Sequence, residues 1–139
     1  MSKNWPADIN KMHAKFGVHE WFEKNKYNKE LIKTYLLFRL NMVEEELGET
    51  KEAINNKDPE EIVDGLIDLC VFAIGTLDVF GVDPWEAWNE IWIANMKKSP
   101  GVKAGRPNPF GLPDLIKPDD WVGPDHTGNH GDLLLAVGD

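Results

Sequence analysis

Glu61-Ile62-Val63-Asp64-Gly65-Leu66-Ile67-Asp68-Leu69-Cys70-Val71-Phe72-Ala73-Ile74-Gly75-Thr76-Leu77-Asp78-Val79-Phe80 is the stretch that decides how this chain folds. From Ile62 to Phe80 it is almost all apolar, yet Asp64 and Asp68 interrupt it near its head. A bare carboxylate in such a helix is costly unless a cation or a hydrogen bond compensates it. At about 100° per residue, Glu61, Asp64 and Asp68 fall within a wedge of roughly 60°. One helix earlier comes Glu45-Glu46-Leu47-Gly48-Glu49, where Glu46 and Glu49 stand one turn apart and Met42, Val43, Leu47 and Ala53 surround Glu46. Two carboxylate pairs facing each other across a helical hairpin would form an oxygen-rich pocket for a hard divalent cation.

Working outward, the punctuation predicts four helices. Asp58 is a good N-cap and Pro59 suits the first helical position, so the apolar helix opens there and closes at Gly81. The preceding long helix runs from about Lys29 to Asn55 with an apolar stripe of Leu36, Leu40, Val43, Leu47 and Ile54. A first helix spans about Pro6 to Phe16 and stops near Gly17. A short aromatic linker (Trp21, Phe22, Tyr27) follows it. The fourth helix opens at Asp83-Pro84-Trp85-Glu86 and ends near Lys98. The expectation is an all-α, four-helix bundle-type subunit over residues 1–98. Residues 99–139 form an irregular Pro/Gly-rich arm of the same domain, with no strong β pattern. Gly65, beside the acidic wedge, lets a neighbouring helix approach closely. Four helices cover the third one poorly, so a homo-oligomer is expected, a homodimer or homotetramer.

The 139 residues suit one domain with a real core. A net charge of −9 argues against nucleic-acid binding, which needs basic surfaces. The apolar run is too short and too acidic for a membrane span, and the Met1–Pro6 start has no apolar signal core, so a soluble cytoplasmic protein is expected. Cys70 is the single cysteine and reads as a small buried residue.

The glutamates also admit a plain reading as a solvated acidic face, and Glu61 alone suits a helix N-terminus without any ligand. Asp64 and Asp68 fit that reading less well, because an apolar helix gives them few routes to water. A di-iron bundle would need Glu-x-x-His motifs, and neither helix carries a histidine, so all-oxygen ligation points to Mg²⁺ or Mn²⁺. Such ions organise phosphoryl chemistry.

The pattern Arg39-x-x-Met42-Val43-x-Glu45-Glu46-Leu47-x-Glu49 followed by Glu61-x-x-Asp64-Gly65-Leu66-x-Asp68-Leu69 resembles the all-α nucleoside triphosphate pyrophosphatase superfamily. That group takes in MazG-like enzymes, dimeric dUTPases and phosphoribosyl-ATP pyrophosphatases. Asn95-Met96-Lys97-Lys98 and the tail pieces Lys117-Pro118-Asp119-Asp120-Trp121 and Pro124-Asp125-His126 extend the likeness. The resemblance implies metal ligation by Glu46, Glu49, Glu61 and Asp64, with Asp68 contacting a second metal or the nucleotide. It implies water positioning by Glu45 or Glu49, and phosphate binding by Asn95 and Lys98.

Arg39 is open between a phosphate ligand and a structural ion pair, and Lys103, Arg106 and Lys117 between a closing arm and solvated surface. Trp85, Trp88 and Trp92 form a stripe that packing explains better than base stacking, while Trp5, Phe16 and Trp21 are better placed to wall a base pocket. His126 and His130 have zinc-like spacing but no second ligand pair. The expected activity is Mg²⁺-dependent hydrolysis of a nucleoside triphosphate to monophosphate and pyrophosphate, in nucleotide-pool cleaning. Phosphoribosyl-ATP hydrolysis is the alternative with the same chemistry, and a non-catalytic acidic interaction module is the alternative of another class.

Overall fold

The computed structural model describes residues 1–106 and 108–138; Pro107 and Asp139, both in the expected irregular arm, lie outside the described residues. The described residues form six helices and one short hairpin: α1 (Trp5–Lys15), α2 (Val18–Asn25), α3 (Lys29–Asn55), α4 (Pro59–Val79), α5 (Pro84–Met96), β1 (Ser99–Gly101), β2 (Asp114–Ile116) and α6 (Leu133–Val137). They group into two compact units, residues 1–84 with 130–139, and residues 85–129. No single described helix is long and apolar enough to cross a membrane.

The four expected helices lie where their caps put them. Asn28 Oδ1 accepts from Leu31 N–H and starts α3, and Asp58 Oδ1 accepts from both Glu60 and Glu61 N–H and starts α4. Two expectations about the elements are corrected. The aromatic linker is the helix α2, entered through Gly17 at φ 78°, a left-handed turn that glycine takes without strain. The arm after residue 98 contains an antiparallel hairpin, Ser99 pairing with Ile116 and Gly101 with Asp114, and ends in α6.

The first unit is built on the α3–α4 hairpin. Its core joins Phe22 of α2, Ile32 of α3, Val79 and Phe80 at the end of α4, and Ala136 of α6, with Val18, Tyr35, Leu36 and Leu133 around them. Phe22 and Phe80 meet edge to face at 5.1 Å. The last segment is therefore structural. Asp132 N–H donates to the Phe80 carbonyl at 2.6 Å, and Lys29 Nζ donates to the Gly138 carbonyl. Gly131, at φ 52°, sits where a Cβ would collide with that Phe80 carbonyl.

The expected apolar stripe of α3 is not its buried face. Leu40, Leu47 and Ile54 are exposed, while Ile32, Arg39, Thr50 and Ala53 are buried, with Leu36, Val43 and Glu46 half-buried. Polar groups at the α3–α4 contact are tolerated because they find partners, Arg39 on Thr76 and Phe72 and Thr50 on the Glu46 carbonyl. Within one chain α4 is not enclosed either, since Val63, Leu66 and Ile67 remain exposed.

In the second unit, Trp121 Nε1 donates to the Ala94 carbonyl (2.7 Å) and Glu90 Oε2 accepts from Asp125 N–H (3.1 Å), tying the arm onto α5. Asp114 closes the loop of the hairpin, accepting from Lys103 N–H (3.1 Å) and pairing with Arg106.

Candidate functional site

The α3–α4 hairpin sets the two acidic clusters side by side. The approach is tight at Gly65, as its position beside the wedge predicts. A Cβ there would overlap Thr50 Oγ1 and stand 3.1 Å from Thr50 Cβ. Thr50 is itself fixed, its hydroxyl donating to the Glu46 carbonyl one turn back at 2.7 Å. Register between the clusters is thus held by a contact of small groups rather than by long side chains.

Glu46 is the half-buried member on α3, and Asp68 is half-buried on α4; Glu45, Glu49, Glu61 and Asp64 are exposed. Partial burial pushes the Glu46 carboxyl above its ordinary value, and the negative charges of Asp68, Glu49, Glu45 and Glu61 push it the same way. Glu46 therefore feels carboxylates from both helices at once. Asp64 takes its place from the helix, one turn after Glu61 and one before Asp68.

These carboxylates are not drawn onto one point. Among the described residues, the group bringing three potential ligand atoms within 4.8 Å of one another is His13, His19 and Asp78 instead. The donor set is all oxygen, it is concentrated on two helices, and its exposed glutamates are free to swing, so it fits a hard dication such as Mg²⁺.

The other expected residues have definite partners. Arg39 is buried against α4: Nε donates to Thr76 Oγ1 (3.1 Å), Nη2 donates to the Phe72 carbonyl (3.2 Å), and the guanidinium lies 5.3 Å from the Phe72 ring. It makes no ion pair among the described residues, so of its two expected roles the ion pair is absent. Lys98 Nζ donates to Asn95 Oδ1 (2.8 Å), and Lys98 and Lys117 lie 5.4 and 4.7 Å from the Trp121 ring. Asn95 and Lys98 belong to the second unit and are described within it. Arg106 is held by Asp114.

Trp5, Phe16 and Trp21 have different surroundings. Trp5 lines an apolar cleft of about 190 Å³ with Asp8, Ile9, Ile67, Cys70, Val71 and Ile74, Phe16 is exposed, and Trp21 packs on Tyr35 at 4.8 Å. Trp85, Trp88 and Trp92 are exposed in this chain.

One constellation has no counterpart in the sequence reading. Asp78 sits in the last turn of α4, where Oδ2 accepts from His13 Nδ1 (2.8 Å) and His19 Nε2 (2.7 Å) and Oδ1 accepts from Asn10 Nδ2 (2.7 Å). An ionised carboxylate only accepts, so each imidazole donates through the nitrogen facing it. Burial raises the Asp78 carboxyl, but the three hydrogen bonds, from Asn10, His19 and His13, outweigh it and hold the group below the usual carboxylate range. The available signal was a charged residue near the end of an apolar helix together with a His-x5-His spacing spanning Gly17.

The family described as phosphoribosyl-ATP pyrophosphohydrolase matches residues 10–95, a span containing every acidic candidate and Asn95 and ending before Lys98. No curated protein and no solved structure matches the chain. With more than half of its length matched, and with two acidic motifs set side by side on a helical hairpin, the chain belongs to the phosphoribosyl-ATP pyrophosphohydrolase family, within the all-α NTP pyrophosphatase superfamily.

Proposed function

We propose that the chain is a Mg²⁺-dependent pyrophosphohydrolase that converts a nucleoside triphosphate and water to the nucleoside monophosphate and pyrophosphate, in the upkeep of nucleotide pools. The observation that carries this reading is the α3–α4 hairpin, which sets half-buried Glu46 and Asp68 on neighbouring helices among Glu45, Glu49, Glu61 and Asp64 within the family-matched span. Two helices that gather this much uncompensated negative charge favour a bound cation.

In this reading Glu46, Glu49, Glu61 and Asp64 hold the ion, with Asp68 beside them, and Mn²⁺ substitutes for Mg²⁺. When bound, the dication neutralises phosphate oxygens and acidifies a water. The exposed carboxylate of Glu45 or Glu49 orients the attacking water and accepts its proton. The resemblance gives phosphate binding to Asn95 and Lys98, the Lys98 ammonium being suited to offset charge on a leaving pyrophosphate. The cleft beside Trp5 offers an apolar surface for a base, with Ile67 of its lining adjacent to Asp68 in the chain. The exposed Leu37, Phe38 and Leu40 of α3 and Val63, Leu66 and Ile67 of α4 support burial against further copies, as a homodimer or homotetramer.

The family match favours a second substrate, phosphoribosyl-ATP, cleaved by the same chemistry. Pyrophosphate release from a panel of nucleoside triphosphates and from phosphoribosyl-ATP, with Mg²⁺ and with EDTA, tests both. Mg²⁺-dependent release with matching monophosphate supports the reaction and ranks the substrates. No release from any of them in folded protein would sink it in favour of a non-catalytic acidic interaction module.

A further inference from the structure

We infer that His13, His19 and Asp78 form a binding site for one zinc-type transition-metal dication, a clamp that fastens α1 and α2 to the end of α4. The site is separate from the acidic clusters. Asp78 lies ten residues beyond Asp68 on the same helix, about 15 Å along its axis at roughly 1.5 Å per residue.

Convergence is the first support. One ligand atom comes from each of three helices, and His13 Nδ1 and His19 Nε2 approach the same oxygen, Asp78 Oδ2, at 2.8 and 2.7 Å. The left-handed turn at Gly17 makes this possible, because it turns the chain back so that His19 faces the carboxylate already met by His13. Two imidazole nitrogens and one carboxylate oxygen are the donors that Zn²⁺ and its neighbours in the first row prefer, whereas Mg²⁺ prefers oxygen alone. Three protein ligands leave the fourth tetrahedral position to water.

Charge is the second support. Asp78 stands in the last turn of α4, where the helix dipole is negative and disfavours an anion. No lysine or arginine pairs with it among the described residues; both of its ion pairs are to histidines. His13 is 5 % exposed, so the site is shielded on that side, while His19, with a third of its side chain exposed, gives an ion a way in. Asn10 Nδ2, on Asp78 Oδ1, orients the carboxylate from behind as outer partners of metal ligands do. Ligand atoms around a tetrahedral zinc at about 2.0–2.1 Å stand roughly 3.4 Å apart. Asp78 and the two rings therefore need to separate by about 0.6 Å from their hydrogen-bond distances, and the exposed His19 is placed to move. On binding, each imidazole gives up the proton on the nitrogen facing Asp78 and stays neutral, with its remaining proton on the other ring nitrogen.

The test uses the full chain, stripped with a chelator and held in saturating Mg²⁺ so that the oxygen-rich clusters are filled. Co²⁺ is added for its visible spectrum and Zn²⁺ for calorimetry and thermal melts. The expected result is one equivalent of Zn²⁺, a raised melting temperature, and the intense visible absorption of four-coordinate Co²⁺ rather than the weak bands of an all-oxygen octahedron. His19→Ala, at the most exposed ligand, should melt somewhat below the metal-free parent for want of the Asp78 hydrogen bond. It should gain no melting temperature from Zn²⁺ and lose affinity by more than about 100-fold, while Asn10→Ala should lose about 10–100-fold. Glu46→Gln with Glu49→Gln should bind Zn²⁺ as the parent does. Absence of Zn²⁺ binding, an octahedral Co²⁺ spectrum, or equal binding by His19→Ala would overturn the site and leave the cluster a hydrogen-bonded anchor. These readouts do not depend on turnover, so they stand apart from the outcome of the nucleotide assay.

Discussion

Thr50 fills the notch that Gly65 leaves in α4, and a Cβ on Gly65 would overlap its Oγ1. Because the Thr50 hydroxyl also binds the Glu46 carbonyl (2.7 Å), this one contact couples the α3 carboxylates to the α4 carboxylates that flank Gly65. Gly65→Ala should force the helices apart, cost about 1–3 kcal/mol, and lower Mg²⁺-dependent turnover. Adding Thr50→Ala should restore most of both. A double-mutant cycle on melting temperature and rate checks it, and additive losses would dissociate the pair.

The acidic clusters make a prediction with opposite signs for stability and activity. A carboxyl whose value is raised on folding contributes stability below its ordinary range and loses it as pH rises through the raised value. At neutral pH Glu46 is therefore a liability in the absence of cation. Glu46→Gln should melt slightly higher than the parent in EDTA, by about 1–2 °C, from relief of like-charge repulsion. It should also lose the stabilisation that Mg²⁺ gives the parent.

For turnover, Glu49→Gln and Asp64→Asn should leave the fold intact and lower the rate on the order of 100-fold or more. Steady-state kinetics beside circular dichroism reads both quantities. Parent-like rates in the two variants together would remove these residues from the site.

Arg39 should behave as architecture. It is 9 % exposed and spends its donors on Thr76 Oγ1 and the Phe72 carbonyl. Lysine cannot reproduce that fork, so Arg39→Lys should lose about 1–3 kcal/mol in chemical denaturation. The rate per folded molecule should change little. Unchanged stability with a raised KM would assign the guanidinium to phosphate instead.

The hairpin of the second unit should be acid-sensitive. The Arg106 side chain and the Lys103 N–H hold the Asp114 carboxyl below its ordinary value of 3.8. The sign for a depressed carboxyl is stability present above that ordinary value and lost as pH falls through the lower folded value. Amide exchange at Lys103 and in the paired strands β1 and β2 should accelerate below about pH 3.8. In Asp114→Asn it should be fast at every pH, and protection unaffected by the substitution would refute the clasp.

Local rules were enough for much of this protein. Asp58-Pro59 and the length of the apolar run determined α4 from sequence, because a capping side chain and a fixed proline φ act within one turn, and helical periodicity gave the extent of α3. The acidic wedge on α4 was legible for the same reason, since helical periodicity sets which residues share a face. The hairpin contact at Gly65 was legible too, because only a residue without a Cβ admits so close a neighbour.

What the sequence did not determine depends on partners far along the chain. The apolar stripe of α3 suggested one buried face, and packing chose another, where Arg39 and Thr50 are satisfied by α4 and Leu40 and Leu47 are left outside. Ala136 enters the core beside Phe22 and Ile32 only because the chain returns at Gly131 to cap Phe80. His13, His19 and Asp78 meet across 65 and 59 residues of separation. Tertiary structure alone decided these contacts, because hydrogen-bond and burial energies act over a few ångströms in space and carry no record of distance along the chain.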